Sequence, residues 1–191
     1  MSVALRWIVV ASLAIGTELL DRRLLRAALR TAVPARRAQL RGETYDPGLA
    51  RWGWALATGC AALAVVDGAL AATPRFAPGI RDAGAGLFAA AAALLLWTDA
   101  RLARLARAGE PPLLTDGPYA LIRHPRYLAW LVGLVGVGLV ADSPAGLGAT
   151  GLMLAAVRRR IVREEAALAT VYGAGWARYR AATWRLVPGV Y

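Results

Sequence analysis

The stretch YLAWLVGLVGVGLVADSPAGLGATGLMLAAV, residues 127–157, contains two apolar runs separated by one polar turn. The runs cover residues 127–141 and 145–157, and Asp142-Ser143-Pro144 between them is a turn signal. Apolar runs on either side of a tight turn predict a helical hairpin. The two ends of the hairpin opposite the turn are therefore expected to lie side by side, together with the polar residues that flank them.

A polar cluster stands at each of these two ends. The first is GPYALIRHPRY, residues 117–127, which contains the only histidine of the chain, and the second is RIVREE, residues 160–165. Because Pro125 disfavours helical geometry in the residue before it, His124 is expected just ahead of a helix that begins near Tyr127. The hairpin thus predicts one polar site built from both clusters.

Spacing alone leaves the chemistry of these clusters open. A lone histidine is more often structural than catalytic, although His124 is the only side chain whose ordinary pKa suits a general base near neutral pH. Arg160 and Glu164 are four residues apart on one helix face. An i,i+4 ion pair worth about 0.3 kcal/mol therefore explains them as well as a functional site does.

The composition indicates a membrane protein. Hydrophobic residues make up 58% of the 191 residues, charged residues make up 18%, and the mean hydropathy is +0.47. A soluble domain with this composition would expose a large apolar surface to water. Apolar runs occupy residues 3–20, 52–72, 83–98, 127–141 and 145–157. The first two approach the ~20 residues of a spanning helix, so the sequence predicts an all-α integral membrane protein with about five transmembrane helices.

The placement of charge predicts the orientation of the chain. All 23 basic residues are arginine, and in the five-span arrangement only Arg6, Arg75 and Arg81 lie on one side, while the other twenty lie on the opposite side. Arginine collects on the cytoplasmic side of membrane proteins, so the N-terminus is expected outside and the C-terminus in the cytoplasm. The net charge of +11 then favours membrane lipids with anionic headgroups over nucleic acid as the partner, because these arginines flank spans.

The chain is expected to form a single domain, residues 1–191. Residues 1–106 hold three of the predicted spans, and residues 107–191 hold the polar clusters and the hairpin. The first apolar run is expected to remain as a span, because no small-residue cleavage site follows it. Cys60 is the only cysteine and is interpreted as a packing residue, since it has no second thiol with which to form a disulfide or bind a metal.

The order of several short motifs over residues 113–189 carries a family resemblance. These are Leu113-Leu114, Gly117-Pro118-Tyr119, Arg123-His124-Pro125-Arg126-Tyr127, the hairpin, Arg160, Glu164-Glu165, Leu168, Tyr172-Gly173, Tyr179 and Arg185-Leu186-Val187-Pro188-Gly189. In this order they resemble the isoprenylcysteine carboxyl methyltransferase family, to which the phospholipid methyltransferases are similar. The three N-terminal spans match that family only in number and hydrophobicity.

The resemblance implies an integral membrane methyltransferase that uses S-adenosylmethionine and no metal, with a cytoplasmic cofactor pocket. It implies cofactor contacts from Pro111, Pro112, Leu113, Leu114, Tyr119, His124, Pro125, Arg126, Tyr127 and Glu164. It also implies that Arg160 faces the substrate. This chain departs from the family pattern at Ala129, where a glycine often follows the motif tyrosine, and at Pro111, where the prenylcysteine enzymes resemble one another in having a histidine.

The residues leave the methyl acceptor open, with Arg160 and His124 as the candidate catalytic residues. A carboxylate is already ionised at pH 7 and needs only orientation, which Arg160 would provide through a bidentate contact. A phenol or an amine must lose a proton, a task for which His124 is suited.

The amino-acid usage narrows the class of acceptor. A chain without lysine and rich in alanine, arginine and glycine is typical of a GC-rich, bacterial genome, so we expect a protein of the bacterial inner membrane. A small lipophilic acceptor, such as an isoprenoid acid, an alkylated phenol or a quinone, is then favoured over a prenylated protein. The alternatives are a phospholipid amine as acceptor, and a non-catalytic membrane protein or reductase on the same scaffold.

Cysteine labelling tests the predicted topology. With Cys60 replaced by alanine, Pro78→Cys should react with an impermeant maleimide from outside the cell, because it follows the second predicted span. Glu110→Cys should react only when the cytoplasmic face is opened, because it lies on the arginine-rich side. The reverse pattern of labelling would refute the five-span arrangement.

Overall fold

A computed structural model describes residues 47–70, 76–77, 79–107 and 113–191 of the chain. In chain order its helices are α1 (Pro47–Leu70), α2 (Ile80–Arg107), a 3-10 helix (Gly117–Ala120), α3 (Pro125–Val140), α4 (Pro144–Tyr172) and α5 (Ala174–Ala182). Over these ranges there is no strand, only one isolated parallel bridge between Ile122 and Trp184. The predicted all-α class is confirmed for the described residues.

The hairpin forms from α3 and α4, and its second helix extends beyond the apolar run, as the helical spacing of Arg160 and Glu164 predicted. The apolar run ends at Val157, but α4 continues to Tyr172. Its buried face repeats every four residues at Met153, Val157, Ile161 and Glu165, while Arg158 and Arg159 are exposed. Arginine is a good helix former, so the helix passes through the charged residues and carries the second polar cluster on one regular surface.

One helix in the described part is long and apolar enough to cross a membrane. This segment, Ile80–Leu102, has 23 residues and contains the predicted run 83–98, while Gly59–Leu70 and Pro125–Val140 are shorter apolar helices. The run 3–20 lies outside the described residues. The number of five spans therefore stays a prediction.

The helices approach one another most closely where glycine faces a neighbouring backbone. A Cβ atom placed on Gly136 of α3 would lie 2.8 Å from the backbone nitrogen of Phe88 and 2.9 Å from the carbonyl oxygen of Gly84, both in α2. Between α1 and α4, the thiol of Cys60 donates to the carbonyl of Ala149 at 3.3 Å. Small residues thus allow backbone contact where lipid provides no hydrophobic drive for helices to associate.

Polar side chains fasten the hairpin turn to α1 and to the start of α2. Asp142 accepts a hydrogen bond from the backbone N–H of Phe76 at 2.7 Å and pairs with Arg81. Ser143 accepts a backbone N–H of the first turn of α4 at 2.9 Å and donates to the buried Asp67. With the turn fixed here, the C-terminal end of α2, the start of α3 and the C-terminal half of α4 meet at the opposite end of the bundle.

Glycine contact between α2 and α3 predicts a difference in stability between two alanine variants. Gly136→Ala should destabilise the protein by about 1–3 kcal/mol, because the added methyl group forces the two backbones apart. Gly151→Ala is the matched control, since a Cβ atom there meets nothing within 4 Å and alanine favours the helix by about 1 kcal/mol. Unfolding in detergent, followed by circular dichroism, measures both; equal stability of the two variants would contradict the close contact.

Candidate functional site

The histidine loop is joined to the C-terminal segment by backbone hydrogen bonds. The N–H of Arg123 donates to the carbonyl of Trp184 at 2.7 Å, and the N–H of His124 donates to the carbonyl of Arg185 at 3.0 Å. Trp184 in turn donates to the carbonyl of Leu121 at 3.1 Å. These bonds fix the loop just before α3 begins, where Pro125 occupies the first helical position and His124 stands ahead of it, as the sequence predicted.

The carboxylate of Glu165, only 5% exposed, connects three segments of the chain. Its Oε1 accepts from Nε of Arg123 at 2.9 Å and lies 3.4 Å from Nε2 of His124. Its Oε2 accepts from Nε of Arg185 at 3.0 Å and from Nη2 of the same side chain at 2.9 Å. The histidine loop, α4 and the C-terminal segment therefore meet at one buried carboxylate.

The other buried charge of this cluster, the guanidinium of Arg123, is also hydrogen-bonded. Its Nη1 donates to the carbonyl of Arg180 at 2.9 Å and to the carbonyl of Thr183. Burial alone would raise the pKa of Glu165, but hydrogen bonds from His124, Arg185 and Arg123 outweigh it and lower that pKa to about 2. Glu165 is therefore ionised throughout the physiological range.

A second group of side chains lies next to this cluster and includes most of the predicted site. The hydroxyl of Tyr127 donates to Oε2 of Glu164 at 2.9 Å. The guanidinium of Arg160 lies over the ring of Tyr127, 5.5 Å from its centroid, in cation–π geometry. The ring centroids of His124 and Tyr127 are 5.8 Å apart. Tyr127 thus contacts all three of the polar side chains that the sequence placed in one site.

A third contact extends the polar region towards α2. Nε of Arg126 lies 3.1 Å from Oδ1 of Asp99, a buried carboxylate of the apolar helix. The hydroxyl of Tyr179 donates to the backbone carbonyl of Tyr119 at 2.8 Å and ties the 3-10 helix to α5. Burial, more than any neighbouring charge, raises the pKa of Tyr119 and keeps its phenol protonated.

The predicted site residues divide into three groups. His124, Tyr127, Arg160 and Glu164 come together, and Pro125, Arg126 and Tyr119 lie beside them on the same end of the bundle. Leu113 and Leu114 precede the 3-10 helix as non-helical chain, with Leu114 buried. Pro111 and Pro112 lie outside the described residues, so their predicted cofactor contacts stay predictions.

Sequence reasoning did not identify the residues at the centre of the buried cluster as one group. Arg123, Glu165 and Arg185 were part of the quoted motifs, but spacing does not reveal that they share one carboxylate. Asp99 was the clearest overlooked signal in the sequence. A charged side chain within a spanning helix costs free energy, so an aspartate near the end of such a helix indicates a polar site.

In the described part of the chain, no group of three or more His, Cys, Asp or Glu side chains is placed to hold a metal ion.

Known proteins resemble a segment that contains most of this site. A sequence model of the phospholipid methyltransferase family matches residues 83–175. The match runs from the first turn of α2 to the start of α5 and contains both polar clusters.

Two curated proteins are similar to parts of the chain. The cobalt-zinc-cadmium resistance protein CzcN of Cupriavidus metallidurans is 38% identical over 53 residues, which are 28% of this chain and 24% of that protein. The protein-S-isoprenylcysteine O-methyltransferase of Dictyostelium discoideum is 29% identical over 80 residues, 41% of this chain and 34% of that protein. The chain thus matches about a quarter to a third of the length of these relatives, and the resemblance drawn from the motifs is confirmed.

The shared carboxylate predicts a stability effect that depends on pH. Glu165→Gln should destabilise the protein by about 3–5 kcal/mol at pH 7, because it leaves the buried guanidinium of Arg123 uncompensated. A carboxyl whose pKa falls from 4.5 to about 2 on folding stabilises the fold above pH 4.5 and loses this contribution as the pH falls towards 2. The difference between wild type and variant, measured by unfolding in detergent, should shrink over that interval.

Asp116→Asn is the matched control for this experiment. Asp116 also pairs with an arginine, Arg101, at 2.5 Å, but its side chain is 56% exposed. Loss of an exposed pair should change stability by less than about 1 kcal/mol. Equal losses of stability in the two variants would show that the contribution of Glu165 does not come from its burial.

Proposed function

We propose that the protein transfers a methyl group from S-adenosylmethionine to a lipophilic acceptor, because a sequence model of the phospholipid methyltransferase family matches residues 83–175. The observation that carries the proposal is the contact of Tyr127 with His124, Arg160 and Glu164 inside the matched segment. This polar group lies at the end of the bundle opposite the hairpin turn. Such a position lets a charged cofactor and a membrane-dissolved acceptor meet.

The chemistry of the side chains fits the cofactor. S-adenosylmethionine has an ammonium, a carboxylate, a ribose diol, an adenine ring and a sulfonium, and when bound it supplies an electrophilic methyl group. Glu164 would hold the ammonium or the diol by charge-assisted hydrogen bonds. The rings of Tyr119 and Tyr127 would lie against the adenine or the sulfonium. The predicted contacts from Pro111 to Leu114 and from the histidine loop would complete the pocket.

Tyr127 links the proposed cofactor and substrate residues. Its hydroxyl orients Glu164, and its ring face carries Arg160. Arg160 lies one helical turn from Glu164 towards the apolar part of α4, the side from which a lipophilic acceptor would come. Methyl transfer is an in-line displacement, so these residues would contribute by holding the acceptor atom in line with the methyl group and the sulfur of the donor.

A carboxylate acceptor is the one that these contacts favour. Arg160 would orient it through two parallel hydrogen bonds, and no proton has to be removed. His124 is 4% exposed, and both of its ring nitrogens face carboxylates, which suits a binding group better than a general base open to an acceptor. A phenol or quinol acceptor would require His124 to take that second role.

A phospholipid amine is the second candidate acceptor, and the description of the matched family favours it. An amine requires loss of a proton and would be held by a carboxylate such as Glu164 rather than by Arg160. We place either reaction at the cytoplasmic face of a bacterial inner membrane, because the arginine side chains of the site lie at the end of the bundle opposite Arg81. Anionic lipids would surround that face.

Three variants around Tyr127 test the proposal. Calorimetry should detect binding of S-adenosylmethionine to the purified protein, and Glu164→Gln should weaken it by about 1.5–3 kcal/mol, the worth of a hydrogen bond to a charged group. Tyr127→Phe removes only the hydroxyl and should weaken it by about 0.5–1.5 kcal/mol. Arg160→Leu should abolish methylation of a bacterial lipid extract by methyl-labelled cofactor, while cofactor affinity changes by less than about 0.7 kcal/mol.

The double variant separates the two roles of Arg160. If Arg160 only held Glu164 in place, Arg160→Leu and Glu164→Gln would weaken cofactor binding alike, and the double variant would cost little more than either alone. Arg160→Lys keeps the charge but loses the planar fork, so its loss of activity would indicate bidentate contact. Absence of cofactor binding to the wild-type protein would refute the proposed function.

A further inference from the structure

The imidazole of His124 lies between two carboxylates that differ in their surroundings. Its Nε2 is 3.4 Å from Oε1 of the buried Glu165, within hydrogen-bond reach. Its Nδ1 is 4.0 Å from Oε2 of Glu164, which is too long for a hydrogen bond. That oxygen already accepts the hydroxyl of Tyr127. Only Nε2 is therefore within hydrogen-bond distance of a carboxylate.

The carboxylate of Glu165 is already paired with other cations. The carboxylate of Glu165 is shared by the guanidinium groups of Arg123 and Arg185. An imidazolium would place a third cation against a single buried anion. The groups that face the ring are Glu164 and Glu165 from α4 and Tyr127 from α3. Behind them, Arg123 and Arg185 pair with Glu165, and Arg160 lies over the ring of Tyr127.

A neutral imidazole carries one proton, and its position follows from the partner of Nε2. An ionised carboxylate only accepts hydrogen bonds, so the nitrogen that faces Glu165 must be the donor. We propose that Glu165 is a positioning residue that fixes the Nε2–H tautomer of His124 and thereby turns the Nδ1 lone pair towards Glu164. The same carboxylate that joins the three chain segments sets the hydrogen-bonding direction of the histidine.

The groups around Nδ1 of His124 indicate which part of a ligand would bind there. The Nδ1 lone pair, the carboxylate of Glu164 and the ring face of Tyr127 all favour a cation, and we call these three groups the cation corner. Resting on the proposed function, we assign this corner to the ammonium group of S-adenosylmethionine. His124 then acts as a hydrogen-bond acceptor towards the cofactor, and it removes no proton from the methyl acceptor.

Because His124 is the only histidine of the chain, nitrogen NMR with 15N-labelled histidine reads its tautomer without assignment. The protein of residues 1–191 in detergent micelles at pH 7 should show a protonated Nε2 and an unprotonated Nδ1. A protonated Nδ1, or signals of an imidazolium, would overturn the proposal. Addition of S-adenosylmethionine should shift the Nδ1 signal more than the Nε2 signal; saturation of the protein without that shift would remove His124 from the cation corner.

Two matched variants identify which carboxylate sets the tautomer. Glu165→Gln presents an amide to Nε2 and should populate both tautomers, whereas Glu164→Gln should keep the wild-type tautomer. The opposite pair of results would assign control to Glu164 and overturn the proposal. If Glu165→Gln does not fold, the wild-type and Glu164→Gln spectra still decide. The tautomer is read without cofactor, so it can hold where S-adenosylmethionine fails to bind, and the two proposals fail separately.

Discussion

The carboxylate of Glu165 is the interaction on which the arrangement of the site depends. A buried charge is tolerated only when its oxygens are fully used, and here Arg123, His124 and Arg185 use them. Those three residues come from the loop before α3 and from the C-terminal segment, which have no helix of their own to hold them against α4. Without the shared anion, three cationic or polar side chains would face one another in an apolar bundle.

The rest of the bundle serves to bring Glu165 to that point. The hairpin turn is held by Asp142 and Ser143 at one end, and the glycine contact of α2 with α3 sets the distance between those helices. Because α4 runs without a break from the turn to Tyr172, its buried face carries Glu165 directly beneath the core residue Ile161. Fixing one end of the hairpin therefore fixes the site at the other.

The buried and half-buried layers of the site have different chemical roles. Glu165 is saturated by its neighbours and is ionised at every physiological pH, so it orients rather than reacts. Glu164, on the adjoining face of the same helix, is more exposed and shares Tyr127 with Arg160. Consecutive glutamates on a helix point about 100° apart, which is enough to place one in the structural cluster and the other at the pocket.

The sequence by itself determined the hairpin, the apolar character of the helices and the resemblance to membrane methyltransferases. Those features are local: runs of apolar residues, a turn signal and the order of short motifs. It also brought His124, Tyr127, Arg160 and Glu164 together, because a hairpin leaves only one place for its two polar ends. Only the tertiary structure decided that Glu165 is the buried anion and that Asp99 pairs with Arg126. These depend on which face of a helix meets which distant segment, and a contact such as that of Arg123 with Glu165, 42 positions away, leaves no periodic pattern in a single sequence.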